Sequence, residues 1–335
     1  MYLRKIRKIV SVIFLLLITI VFLDITNILP SKIINYVTYL QFIPSTINFF
    51  NLLIPAFAGF IIVLILTLLF GRIYCSSICP LGTLQDLSSR LAIKINKKKK
   101  FTFTKEYFWL RYSVFVLVIL SIMSGSLFLV NIIDPYSNTG RIFAQLFNPL
   151  LVLINNFAAF TLEKFNIYLI YPIEVKAFYL IAALFPLLFL MIVMYLAYKR
   201  GRLYCNTVCP VGTLLGLISK FTFFKLKIDK SSCEGCGLCE RVCKAECIEK
   251  VTKEIDFSRC VVCFNCTNVC PSDSINFRFT SISNHQLKTS ESRRNFLSRT
   301  SKLFVVLSSS ALSQIKIIPK KQSKVEVSKK YYVSP

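Results

Sequence analysis

Thirteen cysteines dominate the chemistry open to this 335-residue chain, which holds one histidine, His285. Eight of them form two matching runs, Cys233-x2-Cys236-x2-Cys239-x3-Cys243 and, sixteen residues on, Cys260-x2-Cys263-x2-Cys266-x3-Cys270-Pro271. Three closely spaced thiolates wrap one corner of a cuboidal iron–sulfur cluster, and the fourth ligand must come from elsewhere. Zinc is the rival for such a set, but zinc knuckles do not use two full runs of this kind. The lone histidine excludes a bis-histidine haem, a multi-histidine zinc site and any Ser-His-Asp hydrolase that does not use it. No C-x-x-C-H is present for covalent haem attachment.

The two runs resemble the cysteine pattern of bacterial two-cluster ferredoxins. In such proteins each run borrows its fourth ligand from the other. The resemblance therefore implies one [4Fe-4S] cluster on Cys233, Cys236, Cys239 and Cys270, and a second on Cys243, Cys260, Cys263 and Cys266. Leu226–Ile228 and Ile275–Phe279 read as edge strands of the accompanying small fold. Two departures are visible: Lys244 stands where a proline usually follows the fourth cysteine, and Cys247 is a ninth cysteine where a small residue is usual. Cys247 reads as a buried spare rather than a ligand.

Four more cysteines belong to an internal repeat. Gly71-Arg-Ile-Tyr-Cys-Ser-Ser-Ile-Cys-Pro-Leu-Gly-Thr-Leu84 matches Gly201-Arg-Leu-Tyr-Cys-Asn-Thr-Val-Cys-Pro-Val-Gly-Thr-Leu214 at nine of fourteen positions. Cysteines four apart face one way on a helical turn, and Pro80 or Pro210 would stop or kink the helix after them. If the halves pack about a pseudo-twofold axis, Cys75, Cys79, Cys205 and Cys209 converge as a candidate shared site for a further iron–sulfur or metal centre. A packing motif with free thiols and a dithiol/disulfide pair are the alternatives. Arg72, Arg202, Tyr74 and Tyr204 read either as a basic flank with an aromatic belt or as the lining of a quinone pocket.

The elements that carry these motifs are apolar. Hydrophobic residues make up 55% of the chain and charged residues 17%, which excludes a disordered chain. Ile9–Leu29, Leu52–Phe70, Trp109–Ile133 and Phe178–Tyr198 each approach the roughly 20 apolar residues that cross a bilayer. Ile142–Phe160 is also apolar but is interrupted by Asn148-Pro149 and Asn155-Asn156, and reads as an interfacial or re-entrant helix on the outer face. The net charge of +25 is one-sided: residues 1–8 carry +4, Gly71–Arg111 carries +7, everything after Tyr198 carries +14, and the remaining stretches balance. Excess Lys and Arg mark the cytoplasmic side, so the charge reads as topology and attraction to lipid headgroups rather than as a nucleic-acid site. A domain facing that reducing compartment has no disulfide framework.

The expected fold is an integral membrane all-α unit of four transmembrane helices in two repeated hairpins, followed by a small α+β bacterial two-cluster ferredoxin domain. Its boundaries are 1–222 for the membrane domain, 223–280 for the ferredoxin domain and 281–335 for a basic tail. Over roughly residues 1–280 this arrangement resembles the NapH-type membrane polyferredoxins, with the NosR-type and CcoG-type proteins as relatives. The resemblance implies iron–sulfur electron transfer at the bacterial inner membrane, with the ferredoxin domain cytoplasmic. Its implied partners are the quinone/quinol pool and a membrane or periplasmic redox protein. It also implies a component resembling a quinol dehydrogenase. An assembly or regulatory factor for a respiratory metalloenzyme is the alternative. In the tail, Ser292-Arg-Arg-Asn-Phe-Leu297 resembles a twin-arginine export signal, so the chain is expected to be the front part of a longer protein with an exported domain.

Overall fold

The computed structural model describes residues 2–23, 30–52, 59–95, 101–166, 168, 171–173 and 180–280. His285, the Lys97–Lys100 run and the Ser292–Leu297 motif lie outside the described residues. Residues Met1–Ile282 belong to one compact unit.

The chain opens with α1 (Tyr2–Phe22), whose basic first turns precede an apolar run. Two shorter helices follow, α2 (Ser31–Tyr39) and α3 (Phe42–Leu52), then α4 (Gly59–Phe70). The first copy of the repeat then forms a short helix, α5 (Ile73–Ser77), and a longer one, α6 (Pro80–Ile95). The second half repeats this order. It has α7 (Phe108–Met123), α8 (Phe128–Ile133), α9 (Pro135–Ile142), a π-helical turn (Phe143–Phe147), α10 (Asn148–Glu163) and α11 (Leu180–Arg200). The second copy gives α12 (Leu203–Thr207) and α13 (Pro210–Ser219). Each repeat proline thus starts a helix instead of stopping one. Proline has no N–H to leave unpaired and its fixed φ suits the first helical position, and Cys209 caps α13 by accepting the Gly212 N–H on its sulfur at 3.3 Å.

Two further expectations need correction. The helix beginning at Phe108 ends at Met123, not Ile133, because Ser124 and Gly125 form a C-terminal cap in which Gly125 takes φ +78°. Asn148-Pro149 does not interrupt the following segment, which is helical from Pro135 to Glu163. The π-turn immediately before it shifts the hydrogen-bond register, with the Asn148 N–H donating to the Phe143 carbonyl, so the missing proline N–H is absorbed. This helix and Ala182–Arg200 are the two described helices long and apolar enough to cross a membrane. Helices α1, α4 and α7 overlap the other expected spans but fall short of that test in length or composition among the described residues.

The halves interlock through their repeat helices. Ser88 and Ser89 of α6 donate to the Met194 and Ala197 carbonyls of α11, at 3.0 and 3.2 Å. Thr222, just after α13, donates to the Thr67 carbonyl of α4. Each half also returns a segment to the tyrosine of its motif. The Tyr74 hydroxyl donates to Gln41 and accepts from the Phe42 N–H, and the Tyr204 hydroxyl donates to the Ile133 carbonyl at 2.5 Å.

The remaining region is small and mixed. β1 (Phe224–Ile228) pairs antiparallel with β4 (Ile275–Phe279), from Phe224 opposite Phe279 to Ile228 opposite Ile275. Between them lie α14 (Leu238–Arg241) and the two-residue strands β2 (Ile248–Glu249) and β3 (Glu254–Ile255). The expected edge strands are therefore partners of each other. They close the chain around the cysteine loops.

Candidate functional site

The four repeat cysteines lie in one buried core. Cys75, Cys79, Cys205 and Cys209 are each 3–4% exposed and share a hydrophobic cluster with Tyr74, Tyr204, Val63 and Val193. Two arginines fasten this core from opposite sides. Arg72 Nη2 donates to the Cys205 carbonyl at 3.1 Å, and Arg202 Nη1 donates to the Cys75 carbonyl at 2.6 Å. The close approach depends on glycine. A Cβ on Gly82 would land on the Cys75 carbonyl and 2.7 Å from Arg202 Nη1, and one on Gly212 on the Cys205 carbonyl and 2.8 Å from Arg72 Nη2. Arg72, Arg202, Tyr74 and Tyr204 are therefore neither a lipid-facing flank nor an aromatic belt. Both arginines are wholly buried, and the tyrosines nearly so.

The copies diverge just past the motif, where Gln85-Asp86 in the first faces Leu215-Gly216 in the second. Asp86 holds three cations: Arg7 at 3.1 Å, Arg202 at 2.9 Å and Lys244 at 3.5 Å. Burial opposes its ionisation, but Arg202, Lys244 and Arg7 outweigh that and hold the carboxyl well below the usual carboxylate range. Gly216 instead makes room for Arg111, which donates to the Ser258 carbonyl at 3.0 Å. Reading the sequence alone missed Asp86 and Gln85. The signal available was their failure to repeat.

In the ferredoxin-type region one apolar pocket is lined by Cys247, Leu226, Ile248 and Phe264 together with Cys243, Cys260, Cys263 and Cys266. The last four are the residues expected to hold the second cluster. Cys233, Cys236 and Cys239 form a second group, in which the Cys239 sulfur lies within electrostatic reach of Cys233 and Cys236. Cys270 approaches that group through Ser274, whose hydroxyl donates to the Ser232 carbonyl and lies 3.8 Å from the Cys270 sulfur.

The backbone of both loops fits a bound cluster. Gly235 and Gly237 adopt left-handed conformations, and so do Val262 and Phe264 at the matching places of the second run, with φ +48° and +55°. A β-branched valine in that region is strained by about 1–3 kcal/mol, so the surroundings must enforce it. Alternating right- and left-handed residues turn successive N–H groups inward into an anion-binding nest of the kind iron–sulfur sites use. Among the described residues no three Cys, His, Asp or Glu side chains converge closely enough to hold a single ion.

Cys247 has a definite place. Its thiol lies 3.5 Å from the Cys243 sulfur, where Ser274 stands against Cys270 in the other half. This hydrogen bond, against the effect of burial, draws Cys243 down to about 7 and favours the thiolate that binds metal.

A family model described as 4Fe-4S binding domain matches residues 52–101 and again 182–231, the two copies of the repeat. A second, also described as 4Fe-4S binding domain, matches residues 226–249. The methylamine utilization ferredoxin-type protein MauN of Methylobacillus flagellatus is 29% identical over 191 residues, 56% of this chain and 54% of that protein. The ferredoxin-type protein NapH of Escherichia coli is 28% identical over 191 residues, 56% of this chain and 53% of its own length. The chain is thus similar to the NapH-type ferredoxin-type proteins and carries 4Fe-4S binding domains. An uncharacterized protein of Methanocaldococcus jannaschii is also similar, 29% identical over 201 residues, 58% of this chain and 60% of that one. The chain thus spans a little over half the length of these relatives. No solved structure matches it. The region that follows Phe224 matches a 4Fe-4S binding domain over residues 226–249, and Lys244 is one of the places where it meets the helices. The Lys244 carbonyl accepts the Arg202 N–H at 2.8 Å and stands where a Cβ on Gly201 would fall.

Proposed function

We propose that this protein is a membrane-bound iron–sulfur electron carrier. It would link a quinol or cytoplasmic donor to a membrane or periplasmic redox partner. Cys233, Cys236, Cys239 and Cys270 would hold one [4Fe-4S] cluster and Cys243, Cys260, Cys263 and Cys266 another. When bound, the clusters supply reversible one-electron chemistry. The chain's own residues bury, space and connect them.

One observation carries this reading. Val261 belongs to the hydrophobic core of the repeat cysteines, and Cys263 packs against that core. The apolar pocket of the second cysteine run is thereby joined to the helical part, while Cys236 of the first run is exposed. A carrier needs one wet end that meets a soluble partner and one end wired into the membrane. Arg72 and Arg111 both donate to the Ser258 carbonyl, which holds the connecting loop in place.

Helices α1, α4, α7 and α11 would cross the inner membrane in two hairpins, with the net positive segments and residues 223–280 on the cytoplasmic side. Because the two motif copies share one core, the number of crossings between them is even. The long, unbroken helix Pro135–Glu163 would then lie along the outer face instead of adding a crossing. Anaerobic purification from membranes, iron and sulfide analysis, and a redox titration followed by electron paramagnetic resonance test the proposal. We expect cluster signals that quinol or a low-potential donor reduces. Zinc in place of iron, or clusters that no donor reduces, would overturn it.

A further inference from the structure

Two copies of a cluster-binding unit suggest two centres, yet each copy brings two cysteines, too few to bind a cuboidal cluster. In the folded chain Cys75 and Cys79 share their buried core with Cys205 and Cys209. The Cys209 sulfur lies within electrostatic reach of the other three. We infer that these four cysteines hold a single [4Fe-4S] cluster, shared between the halves and additional to the two of the ferredoxin-type region. This rests on the reading of the protein as an iron–sulfur carrier.

The surroundings call for an anion. Arg72 is wholly buried and, among the described residues, forms no ion pair. Its Nη2 lies 4.0 Å from the Cys75 sulfur and its Nε has no partner. Arg202, Arg7 and Lys244 share the one carboxylate of Asp86. The core therefore carries a surplus of buried positive charge, which is costly to leave uncompensated. Four thiolates around an oxidised cluster leave a net charge of about −2, of the sign and place required.

Gln85 points the same way. Its side chain is fully buried, with Oε1 3.2 Å from the Cys205 sulfur and Nε2 without a partner. That orientation suits a thiol that donates. With a metal-bound thiolate, the amide turned by half a rotation donates its idle N–H₂ to sulfur, and the orphan is satisfied. Only the first copy has this residue, since Leu215 occupies the matching place.

The test uses the full chain, purified anaerobically in detergent, with iron, sulfide and zinc measured per chain. About twelve irons are expected, against about eight if only the ferredoxin-type cysteines are loaded. The double variant Cys79→Ser/Cys209→Ser should lose about four irons and one resonance signal while the other two persist. Should that variant fail to accumulate, Gln85→Leu provides a second reading: all iron is retained and one of three redox transitions shifts. About eight irons in the natural chain, unchanged in the double variant, would overturn the third centre and leave the carrier reading standing. One zinc per chain, lost in the double variant, would also overturn it. Iron far below eight in the natural chain would overturn the carrier reading itself.

Discussion

At the scale of single residues, Cys247 and Asp86 act through neighbours that are themselves functional. The Cys247 thiol stands by Cys243 as Ser274 stands by Cys270, and hydrogen bonds to ligand sulfur raise cluster potentials by favouring the reduced, more negative state. Cys247→Ala should therefore lower the potential of one cluster alone. The loss of about 1 kcal/mol of hydrogen bonding corresponds to about 40 mV for one electron. Cys247→Ser should restore most of it in the same titration. Asp86→Asn leaves Arg7, Arg202 and Lys244 buried without their counter-charge, and should destabilise the protein by about 3–5 kcal/mol in thermal or proteolytic assays. The sign with pH follows from a carboxyl held below its ordinary value. Its contribution is complete above the unfolded value of about 3.9 and is lost as pH falls through the folded one. The difference between Asp86→Asn and the natural chain should thus be constant from neutral pH down to about 5, and shrink only in stronger acid.

At the scale of elements, the repeat works because a short helix, a proline start and a glycine come in fixed order. Pro210 begins α13, Cys209 caps it, and Gly212 lets Arg72 and the Cys205 carbonyl pass close to the helix. Gly212→Ala should cost about 2 kcal/mol or more, since overpacking falls on backbone and a buried guanidinium rather than on a flexible side chain. The check is a shift in melting temperature, with Thr213→Ser as a milder neighbour. Gly216→Ala should act at a second place, by displacing Arg111 from Ser258. Limited proteolysis should then release fragments of the ferredoxin-type region sooner.

At the scale of the whole molecule, the one-sided charge and the shared core make a common demand. Both motif copies and the ferredoxin-type region must lie on one face. Lys230 is well exposed on that region, so trypsin should cleave there in inside-out vesicles and spare it in right-side-out ones. Cleavage in both orientations, or only in the second, would contradict the proposed topology.

The runs from Cys233 to Cys270 and the repeated G-R-x-Y-C-x3-C-P were legible in the residues alone. Neighbouring ligands need only local reach, so their spacing is written along the chain, and charge asymmetry survives any packing. Helix starts and stops were read less well. Proline at a first helical position and proline as a breaker look alike until the preceding hydrogen bonds are known, as Pro80, Pro149 and Pro210 demonstrate. The crossing of Arg72 to Cys205, the gathering of Arg7, Arg202 and Lys244 on Asp86, and the idle amide of Gln85 were decided by tertiary structure. Each joins or isolates groups across segments distant in the chain, and burial decides whether a charge or an amide is left needing a partner.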